Sequence, residues 1–249
     1  MQRQSHAALD LAGRWPKAEK VHRVLASAWD GEDAVRELLE IGTGAGAIAS
    51  YFAMLQSPRC RVSAVDVVDQ RQLTDGYAFR RIDGVLLPFA AASFDAVVSN
   101  HVIEHVGDAD AQRQHLREIA RVLRPGGIAY LAMPSRWQIR EPHYGLAWLS
   151  WLPPRWRSPY LRWRGRGRDY DCRPMGRREL ERMFEDAGFG FRNALGMALS
   201  QYVVHEPRPS RLARLANRLP KSWLDLLAGA SPTHVYLLFA GGGGSKSNG

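Results

Sequence analysis

Cysteine is scarce in this sequence, and long apolar runs are missing. The 249 residues include two cysteines, Cys60 and Cys172, which are far apart and lack metal-ligating neighbours, so we expect neither a disulfide framework nor a metal site. No N-terminal apolar run resembles a signal peptide, and no stretch approaches the roughly eighteen consecutive apolar residues of a membrane span. The sequence therefore predicts a cytoplasmic protein.

Internal repeats are also missing, and the 45% hydrophobic content is ordinary for a globular protein. We expect one domain over residues 1–240, which begins with a helical segment over residues 1–30. An insertion is expected over residues 134–175, where sheet periodicity is lost. Residues 241–249 are polar and glycine-rich, and we expect them to be disordered.

A glycine-rich turn, Glu40-Ile41-Gly42-Thr43-Gly44-Ala45-Gly46, directly follows the apolar run Val35–Leu39. The small, apolar residues Ala47–Met54 come next and predict a helix. A strand, a glycine turn and a helix in this order form the place where α/β sheets bind nucleotide-like ligands. The spacing Gly42-x-Gly44-x-x-Ala47 also fits the dinucleotide pattern, so nicotinamide or flavin binding stays open at this point.

A second predicted strand, Arg61–Asp66, ends in an acid that could accept from the ribose of either kind of cofactor. Further motifs follow in order and at close spacing, namely Ile82-Asp83-Gly84, Leu87-Pro88-Phe89, Ser93–Asn100 and Leu123-Arg124-Pro125-Gly126-Gly127. Together they resemble the class I S-adenosylmethionine-dependent methyltransferases, specifically the small type 11 branch, over roughly Val35 to Met133. The ordered series is far more specific than any one of its motifs.

The resemblance implies an α/β fold with a doubly wound, seven-stranded, mostly parallel sheet of the Rossmann-like methyltransferase kind. The last strand would be antiparallel, and a helical, basic, Trp-rich insertion would follow strand 5. The apolar patterns predict these elements in order: helix Ala109–Leu123, strand Ile128–Met133, helix Arg177–Ala187, strand Phe189–Gly196, a basic amphipathic helix Arg208–Ala230 kinked at Pro220, and strand Thr233–Ala240.

The resemblance also implies S-adenosyl-L-methionine as cofactor. Glu40 would line its methionine and ribose end, Asp66 would accept from the ribose hydroxyls, and Asp83 would accept from the adenine amine. The whole implied set is Glu40, Gly42, Thr43, Gly44, Gly46, Asp66, Val67, Asp83, Gly84, Asn100 and His101. The cofactor has no phosphate, which agrees with the absence of lysine and arginine from the turn.

The insertion is unusually basic and aromatic. Ten arginines lie between Arg155 and Arg182 against four acids, which is a local excess of six within a formal net charge of +9. Four interpretations stay open: an anionic membrane interface, an anionic substrate, nucleic acid, and a solvated basic face. The short apolar segment Leu146–Pro154 favours a lipid-linked or otherwise anionic amphiphilic substrate. Tyr144, Trp148 and Arg168 are the predicted substrate contacts.

A general base is needed if the acceptor is a hydroxyl or a protonated amine. His105, just beyond the fourth strand, and His143, in the insertion, are the candidates. His101 and His105 would share one face of a helical turn with Glu104 adjacent. A metal held by the two histidines is not expected, because no third ligand is near them in the sequence.

The sequence thus predicts a methyltransferase that acts on an O or N atom of a small-molecule, anionic or lipid/glycan-linked acceptor. Peripheral contact with an anionic membrane is a further predicted interaction. RNA methylation, motivated by the sequence pI of about 10.0, is one alternative. A non-catalytic S-adenosylmethionine-binding partner protein is the other.

Overall fold

The computed structural model describes residues 15–29, 36–57, 59–141, 144–206, 209–220, 223–224, 229 and 231–241. Its strands are β1 Arg36–Ile41, β2 Cys60–Asp66, β3 Tyr77–Arg81, β4 Phe94–Asn100, β5 Leu123–Pro134, β6 Phe189–Asn193 and β7 Thr233–Ala240. Its helices are α1 Trp15–Ala26, α2 Ala47–Ala53, α3 Ala109–Val122, α4 Pro154–Trp163, α5 Arg177–Asp186, α6 Leu195–His205 and α7 Arg211–Ala216. Short 3₁₀ turns lie at Ile103–His105 and Leu149–Trp151.

The strands form one seven-stranded sheet in the order β3-β2-β1-β4-β5-β7-β6. Neighbouring strands from β3 through β5 run parallel, and β7 is antiparallel to both β5 and β6. This is the doubly wound, mostly parallel sheet that the family resemblance implies, with its last strand reversed. The strand order changes direction at β1, between β2 and β4, which opens a crevice beside the carboxyl ends of β1 and β4.

The sheet is buried on both faces, because successive strand residues point to opposite sides and each side meets apolar helices. On one side Leu39, Val97 and Leu131 pack with apolar residues of α3 and α5. On the other side Leu38 and Val98 pack with residues of α1, α2 and α6. The resulting three layers hold the crevice between rigid elements.

Helix α3 matches its predicted position. Its N-cap is Asp108, whose carboxylate accepts from the amide nitrogens of Asp110 at 3.1 Å and Ala111 at 2.9 Å. Leu116 and Ile119 are fully buried against the sheet. The helix ends at Val122, one residue before the predicted end, because Leu123 already pairs with Phe94 in the sheet.

The buried face of α3 also carries His115, whose Nε2 lies 3.0 Å from the Ser99 hydroxyl oxygen. Burial lowers the pKa of His115 to about 4, while the charge of Glu104 works in the opposite direction. The unfolded chain therefore binds a proton at this side chain at a higher pH than the folded chain does. Stability from this group is present above the ordinary histidine pKa and is lost as the pH falls from about 6.5 towards 4.

We expect the free energy of unfolding to fall by about 2 kcal/mol between pH 7 and pH 5 through His115 alone. Urea unfolding of the wild type and of His115→Gln at both pH values measures this contribution, since glutamine can still bond Ser99. His22 and His234 also have lowered pKa values, chiefly through burial, but they contribute equally to both proteins. An identical pH dependence in the two proteins would contradict the assignment.

Several elements differ from the prediction. The sequence predicts no range for strand β3 or for helix α6, and β5 begins at Leu123, five residues before the predicted start at Ile128. The predicted strand Phe189–Gly196 ends at Asn193, whose side-chain oxygen accepts from the Leu195 amide at 2.8 Å and starts α6. Within the described part of the predicted helix Arg208–Ala230, the longest helix is α7, which Ser210 caps by accepting from Ala213 N at 3.1 Å.

The first fourteen residues of the predicted N-terminal helical segment and residues 242–249 of the predicted disordered tail lie outside the described residues. So do residues 208, 221–222, 225–228 and 230 of the predicted C-terminal helix. In the ranges that the structure does describe, none of the helices has the length and apolar character needed to cross a membrane.

Candidate functional site

The predicted cofactor residues come together because parallel strands end at the same edge of the sheet. Strand β1 leads to Gly42, β2 ends at Asp66, β3 is followed by Asp83, and β4 ends at Asn100. All four positions lie along the carboxyl edge on both sides of the crevice at β1. This is the edge at which doubly wound sheets bind their ligands.

The glycine turn after β1 depends on backbone conformations that other residues rarely adopt. Gly42 and Gly46 have φ values of 78° and 87°. A Cβ at Gly42 would overlap a methyl group of Val102, and a Cβ at Gly46 would lie 2.5 Å from the Tyr77 hydroxyl and closer still to the Leu73 carbonyl oxygen. The turn therefore needs glycine for its shape and for close packing, besides any approach of a ligand.

Asp66 holds the glycine turn and the loop after β2 together. One carboxylate oxygen accepts from Gly44 N at 2.9 Å, and the other accepts from Val67 N at 2.7 Å. Oδ1 of Asp66 also accepts from Val68 N at 3.3 Å, and because a carboxylate has about four lone-pair positions, acceptor capacity remains after these three bonds. Asp66 is half-buried at the strand end and can turn that capacity towards a ribose diol.

Glu40, the residue before the end of β1, is buried at 2% exposure. Its Oε2 accepts from Ala49 N, in the first turn of α2, at 3.0 Å. At least one amide in the first turn of α2 therefore bonds a side chain of the protein. Thr43 is also buried, and its hydroxyl donates to the Val65 carbonyl at 3.1 Å, so this side chain shapes the turn.

Past β3, Asp83 and Gly84 lie on an exposed loop, with Gly84 in the left-handed region at a φ of 77°. Near this end of the sheet the Arg71 guanidinium stacks 3.9 Å from the Phe79 ring. Arg71 also donates two side-chain hydrogen bonds to Asp69, and these bonds lower the pKa of Asp69 to about 2. This stretch offers an exposed acid and a flat cationic surface.

At the end of β4 the chain makes a strained turn. His101 has a φ of 59°, which is unusual for a residue with a Cβ and often marks functional sites. Its amide donates to the Ala132 carbonyl at 2.8 Å, and its Nδ1 lies 3.4 Å from Glu104 Oε1. His101 is partly exposed, whereas Glu104 is completely buried. The buried carboxylate therefore lies beside the partly exposed imidazole.

The insertion, called the lid from here on (residues 134–175), has a small apolar core of its own, in which Leu146, Leu149 and Leu161 pack around Tyr144. Tyr144, a predicted substrate contact, is buried, and its hydroxyl donates to Asp171 Oδ1 at 2.8 Å. The other two predicted contacts, Trp148 and Arg168, are exposed. His143, a predicted base, lies outside the described residues.

The two histidines after β4 contact different partners. His101 contacts Glu104, while His105 Nδ1 lies 3.6 Å from the Cys172 sulfur. The sequence predicted no metal-ligating group near Cys172, and that prediction is wrong. Both His105 and Asp171 lie beside the sulfur, because the returning end of the lid passes the turn after β4. Cys60 lies in β2, where burial raises the pKa of its thiol to about 11.

Sequence reasoning missed several contributors to this region. Tyr77 and Val102 close the space beside the glycine turn, and Leu73 N donates to Ala45 O at 3.0 Å. Local sequence gives no signal for these contacts, since they join separate loops. The pairing of Cys172 with His105 spans 67 positions and is equally invisible in the sequence.

Comparison with known proteins agrees with this geometry. Residues 39–131 match the family model described as a methyltransferase domain. A probable S-adenosylmethionine-dependent methyltransferase of Mycolicibacterium smegmatis is 30% identical over 186 residues, which cover 71% of this chain and 60% of the relative. The ubiquinone/menaquinone biosynthesis C-methyltransferase of Hahella chejuensis is 36% identical over 39% of this chain and 42% of its own. The chain thus spans about half the length of these curated relatives.

Solved structures show the same fold at low sequence identity. A putative methyltransferase from Haloferax volcanii, solved in complex with the Trm112 methyltransferase activator, has a TM-score of 0.54. It is 19% identical, and the match covers 96% of this chain and 99% of that chain. The YcgJ protein of Bacillus subtilis has a TM-score of 0.51 at 16% identity and covers 89% of this chain and 98% of its own.

Proposed function

Because this chain belongs to the class I S-adenosylmethionine-dependent methyltransferases, we propose that it transfers the methyl group of this cofactor to an anionic, amphiphilic acceptor. The acceptor atom in this proposal is oxygen or nitrogen, and the acceptor is a small molecule or the end of a lipid- or glycan-linked one. The observation that carries the choice of acceptor is the juxtaposition of exposed tryptophans and arginines on the lid.

The residues present fit the cofactor. The turn after β1 has no side chain at its left-handed glycines, and Asp66 and Asp83 supply acidic acceptors of the kind that ribose hydroxyls and an adenine amine need. We propose that Glu40, Gly42, Gly44, Asp66, Asp83 and Asn100 hold S-adenosylmethionine, with Thr43, Gly46, Val67, Gly84 and His101 around them. When bound, the cofactor supplies a methyl group on a sulfonium, which is a good leaving group, so the protein has mainly to align the acceptor.

The lid presents two open apolar grooves. One, of about 550 Å³, is lined by Leu152, Pro153, Trp156, Pro159, Tyr160 and Trp163. The other, of about 400 Å³, is lined by Trp137, Ile139, Trp148, Trp151 and Gly229. Neither groove includes a residue of the cofactor loops, so we assign them to the acceptor or to the surface that carries it.

Exposed arginines lie in and just after α4, the helix that lines the first groove. Arg155, Arg162, Arg164, Arg166 and Arg168 are all exposed, whereas Arg157 is buried with its guanidinium on the Leu152 and Ser150 carbonyls. A molecule with an apolar chain and a phosphate or carboxylate group would satisfy both features at once. RNA would instead require basic residues spread over a broad face, and here they lie beside apolar surface.

Deprotonation of the acceptor needs a base in this proposal when the acceptor is a hydroxyl or a protonated amine. His143 and His105 are our candidates, since His143 lies in the lid sequence and His105 lies in the turn after β4. Turnover of His143→Ala and of His105→Ala tests each assignment separately. Full activity in either variant would remove that residue from the role.

Methyl-labelled S-adenosylmethionine tests the proposed function directly. Purified protein is incubated with the label and with one of three acceptors: a phosphate-bearing glycolipid, its water-soluble head group, or total tRNA. We expect label in the glycolipid fraction. Label in tRNA would replace the proposal by RNA methylation, and cofactor binding without any transfer would favour the non-catalytic alternative.

We expect the double substitution Trp148→Ala and Trp151→Ala to raise KM for an amphiphilic acceptor about tenfold with little change in kcat. Loss of the two ring faces removes roughly 1–3 kcal/mol of binding free energy, because less apolar surface of the acceptor is buried. The two rings stack edge to face at 4.9 Å, so they are replaced together. Steady-state kinetics at saturating cofactor measures the effect.

The matched control for this double variant is Trp15→Ala in α1, because Trp15 is exposed to a similar degree and lies outside the lid. An equal change in KM in the control, or no change in the double variant, would contradict the role of the lid. Flotation with anionic vesicles, performed in parallel, shows whether the tryptophans meet a membrane rather than a single acceptor molecule.

A further inference from the structure

The returning end of the lid is fastened to the turn after β4 by backbone contacts. Arg173 N donates to the Glu104 carbonyl at 2.7 Å. The Gln112 side-chain amide, from α3, donates to the carbonyls of Ile103 at 3.1 Å and Arg173 at 3.0 Å. The positions of His105 and Cys172 relative to each other are therefore set by the fold rather than by two independent loops.

Three metal-ligating atoms of different chemistry meet there. The Cys172 sulfur lies 3.6 Å from His105 Nδ1 and 3.6 Å from Asp171 Oδ1, and all three atoms lie within 4.8 Å of one another. Ligands bound tetrahedrally to zinc at about 2.0–2.3 Å stand roughly 3.3–3.8 Å apart. The two sulfur distances fall in that range without rearrangement.

A second observation comes from Glu104. Its side chain is completely buried, and within the described ranges neither carboxylate oxygen accepts a hydrogen bond. The nearest cationic group is His101 Nδ1, at the 3.4 Å already noted. Glu104 also acts electrostatically on His105 and on Cys172. An unsatisfied buried charge is costly, and a cation beside it would compensate that cost.

Carboxylates lie close to the sulfur. Asp171 Oδ1 is 3.6 Å from it, and Glu141 and Glu104 also act on it electrostatically. Glu141 is itself buried, and it accepts from Tyr144 N at 2.7 Å. A bound metal cation would offset the negative charge of these carboxylates.

We propose that His105, Asp171 and Cys172 form a binding site for a divalent transition-metal ion of the zinc class. One nitrogen, one oxygen and one sulfur ligand suit zinc, and a three-ligand site leaves a coordination position for a small oxygen ligand. On binding, the S–H bond of Cys172 breaks, a sulfur–metal bond forms and the proton passes to solvent. A metal bound to His105 Nδ1 occupies the lone pair with which this nitrogen could accept a proton. In this proposal the role of general base therefore falls to His143.

Cobalt(II) titration of metal-free protein tests the site, because a cobalt–thiolate bond has a charge-transfer absorption that nitrogen and oxygen ligands do not give. Cys60 is the only other cysteine of the sequence, and it lies in β2, so Cys60→Ser is the matched control. We expect one cobalt ion per chain with thiolate absorption in the wild type and in Cys60→Ser. The absorption should disappear in Cys172→Ser and be displaced by zinc.

A second variant keeps the site testable if Cys172→Ser does not fold. Asp171 is exposed, so Asp171→Asn should fold, and we expect it to weaken cobalt binding at least tenfold. No thiolate absorption at saturating cobalt in the wild type, or absorption that survives in Cys172→Ser, would overturn the site. Calorimetric binding of S-adenosylmethionine by the same samples is measured separately, so failure of the metal site is distinguishable from failure of the proposed function.

Discussion

Asp66→Ala should weaken S-adenosylmethionine binding about a hundredfold, since a hydrogen bond to a charged group is worth about 1.5–3 kcal/mol and the variant removes the acceptor for the ribose diol. It also removes the two bonds by which Asp66 holds the amides of Gly44 and Val67, at 2.9 Å and 2.7 Å. The ribose contact and the shape of the loop are therefore lost together. Isothermal calorimetry with the wild type and the variant measures the change.

The control for this prediction is Asp110→Ala. Asp110 is an exposed acid in the first turn of α3, where it pairs with Arg113 rather than with any part of the crevice. We expect its affinity for the cofactor to match that of the wild type. Equal affinity in Asp66→Ala would mean that the acid at the end of β2 does not contact the ribose.

Gly46→Ala should lower the free energy of unfolding by about 3 kcal/mol or more, and the melting temperature by about 10 °C. An alanine at the φ of 87° costs roughly 1–2 kcal/mol by itself. Its Cβ would also press against the Leu73 carbonyl and the Tyr77 hydroxyl. The carbonyl cannot easily withdraw, because the amides of Gln72 and Leu73 both donate to Ala45 O at 3.0 Å.

Gly126→Ala separates the backbone cost from the steric cost. Gly126 has a similar φ, 77°, but a Cβ there would meet open space. We expect only the conformational penalty, which corresponds to a few degrees in melting temperature. Thermal unfolding of both variants, followed by circular dichroism, gives the comparison. Equal destabilisation would show that close packing behind Gly46 does not matter.

The sheet could be predicted largely from local patterns. Helix α3 carries its own N-cap, Asp108, and an apolar face that includes Leu116 and Ile119, so its position follows from residues close in sequence. The core strands β1 and β4 are apolar runs buried on both sides. Such elements are specified by their own composition, which is why the predicted and observed bounds nearly coincide.

Helix α6 could not be predicted in the same way. Its apolar residues are spread around the helix, and only Ala198 is fully buried, so no single face marks it as amphipathic. Strand β3 alternates weakly and lies at the edge of the sheet, where one side is exposed. Both elements are stabilised by neighbours from elsewhere in the chain, and a short window of sequence does not contain those neighbours.

The residues of the candidate site differ in the same way in whether the sequence could predict their positions. Gly42 and Gly46 belong to the turn after β1, Asp66 is the last residue of β2, and all three could be placed from their motifs. The meeting of His105 with Cys172 depends on how the lid returns to the sheet, and the strained φ of His101 depends on the turn that follows β4. Contacts between distant segments become visible only when the fold is known.

Calorimetric titration of the purified protein with S-adenosylmethionine and, in parallel, with NADH tests most directly whether the crevice at β1 is a methyltransferase cofactor site. The glycine turn alone is compatible with both ligands, so the comparison addresses the one ambiguity of the motif. We predict micromolar binding of S-adenosylmethionine and no binding of NADH. Binding of NADH alone would contradict the assignment of this chain's crevice to S-adenosylmethionine.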